Sequence, residues 1–460
     1  MEQRPHFSYV LYDLKRFRVL ILVPLIRLFI QFLRHRQLQF HRYELVILAT
    51  MIGYSLLKWV TCRYRLTSSG DDRIHTIGVR QGIVFRRVLH ISAEDAASIE
   101  IERTPFLWLL GGRRIRVNTA GVRRRSDVQL YLSAARTREV FTPQTGTRNY
   151  RASRLPVLIL SLTGSNAAVG ALTAAPFINR FSRFLGENTV DVVGQAAKLL
   201  QSGLPSTLRL LANVLVIGWG VSAIGTFSRY VGFRARREAG QIHLVSGLFT
   251  RRDVLIGTNK VTALELRQTL TMRLFSLYTA VITAAGYGRE LGARPVLIPA
   301  ARQRGVAEGL ECLLPKYPVC AALLRPTYQA RWRYLLPPLA MLVFGTAIGL
   351  MGRWWRTVAT VVAVWAAWWL IVRIWGWRQA GFGCNNEAVS LCYPRGLAVY
   401  RVHFPIEVVD CVSVTRSYFQ RRRGTCTVRV RCFGEKKRTH RVWGIPYHAV
   451  CRMLIKQKPH

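Results

Sequence analysis

The side chains in this sequence best placed to do chemistry are paired cations. Arg86-Arg87 and Arg251-Arg252 each follow a turn glycine, within QGIVFRRVLHI (81–91) and SGLFTRRDVLI (246–256). Neighbours on a strand point to opposite faces, so one member of each pair lies outward or at an edge. An outward guanidinium suits an anionic group, and near an acidic lipid surface each is worth about 1 kcal/mol. A denser set, Arg421, Arg422 and Arg423 with Lys436, Lys437 and Arg438, flanks a predicted strand over 425–433. These residues form the candidate lipid- or partner-binding set. Weak contacts on tethered modules act together through a high effective concentration. A purified module is expected to bind anionic vesicles, less well in salt, and not neutral ones. The plainer alternative is that these arginines are solvated or ion-paired.

No catalytic constellation accompanies them. The sequence has no G-x-x-x-x-G-K-[ST], H-E-x-x-H or G-x-S-x-G motif, and no G-x-G-x-x-G opening a helix. His90, His403, His440 and His448 lack an evident nucleophile or metal partner. The nine cysteines, six of them from Cys384 onward, show no C-x-x-C spacing. That pattern fits reduced, buried thiols better than a disulfide framework or zinc site, though Cys384, Cys392 and His403 are the one metal set to weigh. The expectation is a non-enzyme with no catalytic, cofactor or metal residues.

The elements that position the arginines repeat. Landmark glycines Gly82, Gly247 and Gly396 are followed by Gly121, Gly286 and Gly434, and the three intervals agree to within a single position. One unit used three times is the simplest account. Each unit reads as short, partly alternating strands closed by a helix. The closing stretches are VQLYLSAARTREVF, PAARQRGVAEGLECLL and IPYHAVCRMLIKQ.

Between the β units lie apolar runs. Half of the 460 residues are hydrophobic and mean hydropathy is +0.15, yet the formal charge is +44. A membrane protein with basic cytoplasmic parts combines these properties easily. Six runs, 17–33, 43–60, 155–178, 208–227, 334–351 and 354–375, approach the ~17–25 residues a bilayer requires. The predicted fold is therefore membrane α-helical plus all-β: six transmembrane helices in three hairpins, each hairpin followed by a β module with a C-terminal helix. The divisions are 1–60 (basic tail, helices one and two), 61–143 (module one) and 155–227 (helices three and four, connector 179–207). Then come 229–317 (module two), 334–375 (helices five and six) and 376–456 (module three). Gly345-x-x-x-Gly349 and the stripe Ala359, Ala363, Ala367 offer small faces for helix packing. Paired helices put all modules on one side. The arginine bias makes that side cytoplasmic, giving a multi-pass membrane protein with both termini inside.

Tyr64-Arg65-Leu66-Thr67, Gly82–Arg87, Ile99–Ile101 and Leu109–Gly121 together resemble the bacterial pleckstrin-homology-like (PH-like) domain in membrane proteins of the YdbS/YdbT type. Gly247–Arg252 and Thr283–Gly286 repeat the resemblance. Three modules interleaved with helices are similar to the longer, YdbT-type member. Module three departs, with Tyr400-Arg401 in place of the double arginine and Cys432-Phe433-Gly434 in place of Thr-Ala-Gly. The resemblance implies a strongly bent seven-stranded sheet with one capping helix. It also implies a smaller YdbS-type membrane protein as partner and a role in envelope stress or antimicrobial tolerance. It implies no established ligand.

The expected function is a non-enzymatic membrane scaffold that binds a protein partner, anionic lipid, or both. The alternative is a transporter or channel subunit, suggested by Arg27, Asn166 and Asn213 inside apolar runs. Nucleic acid is not expected as a partner: arginine-rich usage is weak evidence for it.

Overall fold

The computed structural model describes residues 2–14, 17, 42–69, 73–83, 85–92, 95–119, 128–140, 148–164, 206–238, 240–284, 295–315, 317–321, 323–350, 352–432 and 439–455. The first repeat holds α1 (Ser8–Leu14), α2 (Arg42–Thr61), β1 (Arg63–Ser69), β2 (Arg73–Gln81), β3 (Arg87–Ser92), β4 (Ala96–Arg103), α3 (Pro105–Leu109), β5 (Gly112–Thr119), β6 (Val128–Ser133) and α4 (Ala134–Val140). The second holds β7 (Arg148–Arg151), α5 (Arg154–Gly164), α6 (Ser206–Tyr230), β8 (Arg234–Glu238), β9 (Gln241–Ser246), β10 (Arg251–Gly257), β11 (Val261–Thr269), α7 (Leu270–Leu274), β12 (Leu277–Ala284), β13 (Val296–Arg302) and α8 (Gln303–Leu313). The third holds α9 (Arg331–Leu350), α10 (Arg353–Gln379), β14 (Gly381–Cys384), β15 (Ala388–Arg395), β16 (Ala398–Pro405), β17 (Val409–Thr415), α11 (Tyr418–Arg422), β18 (Thr425–Cys432), β19 (His440–Pro446) and α12 (Tyr447–Ile455).

The strands form where side chains alternate. Along β18, Val428 and Val430 are buried while Arg429 and Arg431 face solvent. Each repeat has its own apolar core. Tyr64, Ile115 and Leu130 lie in the first, Ile242, Ile256 and Leu297 in the second, and Phe382, Phe404 and Val428 in the third.

The sheets do not stop at the repeats. Their strand orders are β1-β2-β3, then β6-β5-β4-β10-β9-β8-β7, then β13-β12-β11-β16-β15-β14, then β17-β18-β19. Counted from the first strand after the helices (β1, β8 and β14), the fourth strand of one repeat therefore pairs with the third strand of the next. β4 meets β10, and β11 meets β16, both antiparallel. Ala263, from the second repeat, is accordingly part of the third repeat's core. The expected picture of three self-contained bent sheets gives way to half-sheets shared between neighbours.

The segment before each helical excursion returns to pair with the first strand after it. Gln3 bridges Tyr64, β7 pairs with β8, and Leu324 bridges Phe382. Each excursion thus starts and ends at one place on its module.

The count of six membrane helices is overturned. Among the described residues one helical stretch, Tyr328–Leu350, is long and apolar enough to cross a membrane. Val46–Thr61 and Arg154–Gly164 are apolar but shorter. Tryptophans and Arg353, Arg356, Arg373 and Arg378 dilute the hydropathy of α10. Residues 165–178, most of run 17–33 and all of the connector up to position 205 lie outside the described residues. So do Gly121, Gly286, Gly434, Arg27 and Asn166. The small-residue face of the last helix pair is real: a Cβ on Gly345 would meet Val362 at 2.7 Å, and one on Gly349 would meet Ala359 at 2.9 Å.

Candidate functional site: an apolar and cationic rim at the helix bases

After each fourth strand the chain makes one short helix, and the residue types dictate it. Thr104 caps α3 by accepting from the Leu107 amide at 3.3 Å, and Thr269 caps α7 by accepting from Met272 at 3.2 Å. Ser417 and Gln420 form a reciprocal capping box on α11. In each helix the third residue after the cap turns inward: Leu107, Met272 and Gln420 are buried. The rest of the apolar surface stays outside. Phe106, Trp108 and Leu109 are exposed on α3, Leu274 and Phe275 at α7, and Tyr418 and Phe419 on α11.

A second exposed apolar element lies at the turn between the second and third strands. Phe85 is 86% exposed in module one; Leu248 and Phe249 are 64% and 65% exposed in module two. Gly82 and Gly247 have φ of +126° and +101°, and a Cβ on either would collide with the carbonyl oxygen of Phe85 or Thr250. Only glycine tolerates that backbone. In module three the turn is shorter: Arg395 pairs directly with Ala398 around Gly396, so no apolar tip projects.

The shared sheets bring these elements together. Arg251, just after the Leu248–Thr250 tip, pairs with Arg103, just before α3. The helix bases meet the same edge. The Leu248 amide donates to the Ser228 carbonyl at the end of α6, at 2.7 Å. Arg273 of α7 lies over the Trp375 ring of α10 at 4.7 Å, and α7 packs on α5. Arg423 Nη1 donates to the Gln329 carbonyl at the base of α9, at 3.5 Å. Between α11 and that base runs a groove of about 560 Å³, lined by Trp332, Leu336, Pro337 and Phe419 together with Arg333 and Arg423.

The family model described as Bacterial PH domain matches residues 14–142, 188–312 and 334–452. The chain belongs to the bacterial PH domain family. It is also 21% identical over 318 residues to a curated relative, the UPF0699 transmembrane protein YdbT of Bacillus subtilis (strain 168). The match covers 63% of this chain and 64% of that one. No solved structure matches.

Within this bacterial PH framework the predicted arginines divide. Arg86, Arg87, Arg251, Arg421, Arg422 and Arg423 are exposed at the rim or beside it. Arg251 Nε is 3.5 Å from Asp253. Lys436, Lys437 and Arg438 lie outside the described residues. Arg252 turns inward across the first joint, with Nη2 3.6 Å from Glu102. There it joins a buried network. Arg114 lies 3.3 Å from Glu102, and Arg116 lies 3.4 Å from Glu100 and 3.3 Å from Glu102. Arg114 also donates to the Tyr12 hydroxyl at 2.7 Å and to Gln129 at 3.0 Å. Truncating one partner of the buried pairs within module one typically costs about 3–5 kcal/mol, and through Glu102 Arg252 brings module two into the same cluster. Its signal was present in the sequence as E-x-E facing R-x-R on adjacent strands. The exposed aromatics of the short helices were missed; a Ser or Thr cap ahead of an aromatic pair was the available cue.

No group of three or more metal-ligating side chains forms among the described residues. His403 instead shares a 2.7 Å hydrogen bond with Ser390, and burial holds its pKa down near 4. His440 shares one of 2.6 Å with the Tyr393 hydroxyl.

Proposed function

We propose that this is a membrane-associated, non-enzymatic scaffold whose bacterial PH modules rest on an anionic bilayer through the rim described above. Family membership, the transmembrane relative and α9 support the membrane setting. The observation that carries the reading is the interleaving of exposed Phe85, Phe106, Trp108, Leu248 and Phe249 with Arg86, Arg87, Arg103 and Arg251 at the helix bases. Contiguous exposed apolar surface marks an interaction site. Aromatic tips with flanking cations suit the headgroup–acyl boundary, where apolar area and attraction to acidic lipid add. The groove at α9 fits an amphiphilic anion, with its acid near Arg333 or Arg423 and its chains along Leu336 and Pro337. The arginine bias favours the cytoplasmic side. Recruitment of a second membrane protein, and a role in envelope stress or antimicrobial tolerance, complete the proposal.

The test uses the whole chain, with Cys312→Ser, Cys411→Ser and Cys451→Ser, in nanodiscs with an environment-sensitive fluorophore on Phe249→Cys. With acidic lipid at low salt the emission shifts to the blue. The shift shrinks in high salt, in neutral lipid, and when Arg86, Arg87 and Arg251 become glutamine. An emission that ignores lipid charge and salt removes the electrostatic contact.

A further inference from the structure

The two joints between modules obey one register. In the first, Arg103 pairs with Arg251. Arg103 immediately precedes the cap Thr104, and Arg251 lies upstream of Thr269, the cap of its own module. In the second, Gln268 pairs with Val399. Gln268 immediately precedes Thr269, and Val399 lies upstream of its own cap, Ser417, by the same offset that separates Arg251 from Thr269. The same rule, applied twice, leaves one strand of each kind over. Among the described strands β3 is the third strand left without a fourth-strand partner, and β17 is the fourth strand left without a third-strand partner. Each is an outermost strand of its sheet among the described residues.

We propose that β17 of one chain pairs with β3 of a second copy, in the register of the internal joints, so that the protein assembles head to tail in the plane of the membrane. This deepens the scaffold reading above by naming a partner and its site. The rule pairs Arg416, immediately before Ser417, with Arg86, which lies upstream of Thr104 by that same offset. Thr415 then faces Arg87, Val414 faces Val88, Ser413 faces Leu89, Val412 faces His90 and Cys411 faces Ile91.

Four observations support the pairing. First, burial: Ser98 and Glu100 at the first joint, and Ala263 and Glu265 at the second, are buried, whereas their equivalents Cys411 and Ser413 are exposed and half-buried. Across the gap, Val88 is 59% exposed. Second, the edge is open along the pairing segment. Exposed edges are usually blunted by lysine, proline or a bulge, yet Cys411–Thr415 contains no lysine, arginine or proline and pairs with β18 without a break. The one irregularity of β17, between Val409 and Cys411, falls where β4 and β11 carry theirs, and both of those strands pair across their joints. Third, donor and acceptor edges occur once each in the same chain, which is the condition for a heterologous, repeating contact. Fourth, the pairing continues the rim. Tyr418 and Phe419 of one copy come beside the Phe85 turn of the next, as α3 comes beside Leu248 and Phe249 within the chain. The opposed Arg416 and Arg86 repeat the Arg103–Arg251 pair that the first joint tolerates. Main-chain hydrogen bonds supply the affinity in such strand addition, and confinement to one membrane raises the effective concentration.

Directly opposed antiparallel residues have Cα atoms about 4.5–5.5 Å apart, within disulfide reach. The full chain carrying Val88→Cys and Val414→Cys, with Cys411→Ser, is oxidised in native membranes. The expected product is a reducible ladder of whole-number multiples of the 52.4 kDa chain. The control replaces Val414→Cys by Val412→Cys, which displaces the thiol by two positions, about 6.6 Å along the strand. A ladder no stronger than the control's overturns the proposal. So does an adduct between Val414→Cys and a smaller polypeptide, which would make that protein the occupant. A wild-type chain that remains a monomer in mild detergent at every concentration overturns it as well. The fluorophore at position 249 reads the lipid contact separately. A retained lipid response without a ladder removes self-pairing and leaves the scaffold reading intact.

Discussion

At the scale of single residues, the informative side chains are those whose charge has been taken out of water. His403 is one. It lies on β16 with its Nδ1 against the Ser390 hydroxyl, and burial, then nearby Arg401, lowers its pKa from 6.5 to about 4. The folded protein therefore holds neutral imidazole, while the unfolded chain takes up a proton below about pH 6.5. The unfolded state binds more protons throughout that window, so stability falls as pH drops from about 6.5 to about 4. The loss reaches about 3 kcal/mol and stops where the folded form also protonates. Denaturant unfolding followed by tryptophan fluorescence should show this slope, and His403→Gln should flatten it. A wild-type profile flat between pH 7 and 4.5 would contradict the burial of a neutral imidazole. The arginines make the complementary point. Arg251 and Arg252 are adjacent and look alike in sequence, yet one faces the rim and the other closes a buried network through Glu102. Strand alternation requires that the two differ. Which one meets a buried carboxylate depends on pairing with a strand of the preceding module, far back along the chain, and no local pattern encodes that.

At the scale of elements, the turn glycines explain why the repeat was legible at all. Gly82 and Gly247 occupy a backbone open only to glycine, because a Cβ there meets the carbonyl oxygen three positions on. Gly396 also has positive φ, at +60°, but a Cβ there meets nothing within 4 Å. Spacing alone makes the three equivalent; the structure separates them. Replacing Gly247 by alanine should cost several kcal/mol, since collision adds to backbone strain. Gly396→Ala should cost only the left-handed penalty of about 1–2 kcal/mol. Thermal melts of the two variants in detergent decide the order, and equal losses would count against the difference in turn geometry. The short helices show the opposite case. TPFLWL, TLTMRLF and SYFQRR are too short for helical periodicity to register. The expected membrane helices failed for a related reason. Apolar composition was read over a window through which α10 disperses tryptophan and arginine, so length alone overstated its hydropathy.

At the scale of the whole molecule, the joints change what a module is. The sequence suggests a middle unit at 229–317 that stands alone, since each repeat carries its own alternating strands and closing helix. In the structure that unit owns neither of its sheets. β10 and β11 are both interior strands, each flanked by a strand from a neighbouring module. Cutting out 229–317 would expose two long edges at once and remove β7 from β8. It would also leave Arg252 without Glu102 and Ala263 without the core it helps to fill. Exposed, unguarded edges are templates for association. The excised middle module should therefore aggregate or fail to fold, giving void-volume elution and loss of a cooperative melt. The full chain should unfold its three modules as a coupled set. A monomeric fragment with a sharp melt would mean that the joints are contacts between finished domains. The PH repeat would then be the folding unit, and the shared sheets only a consequence of tethering.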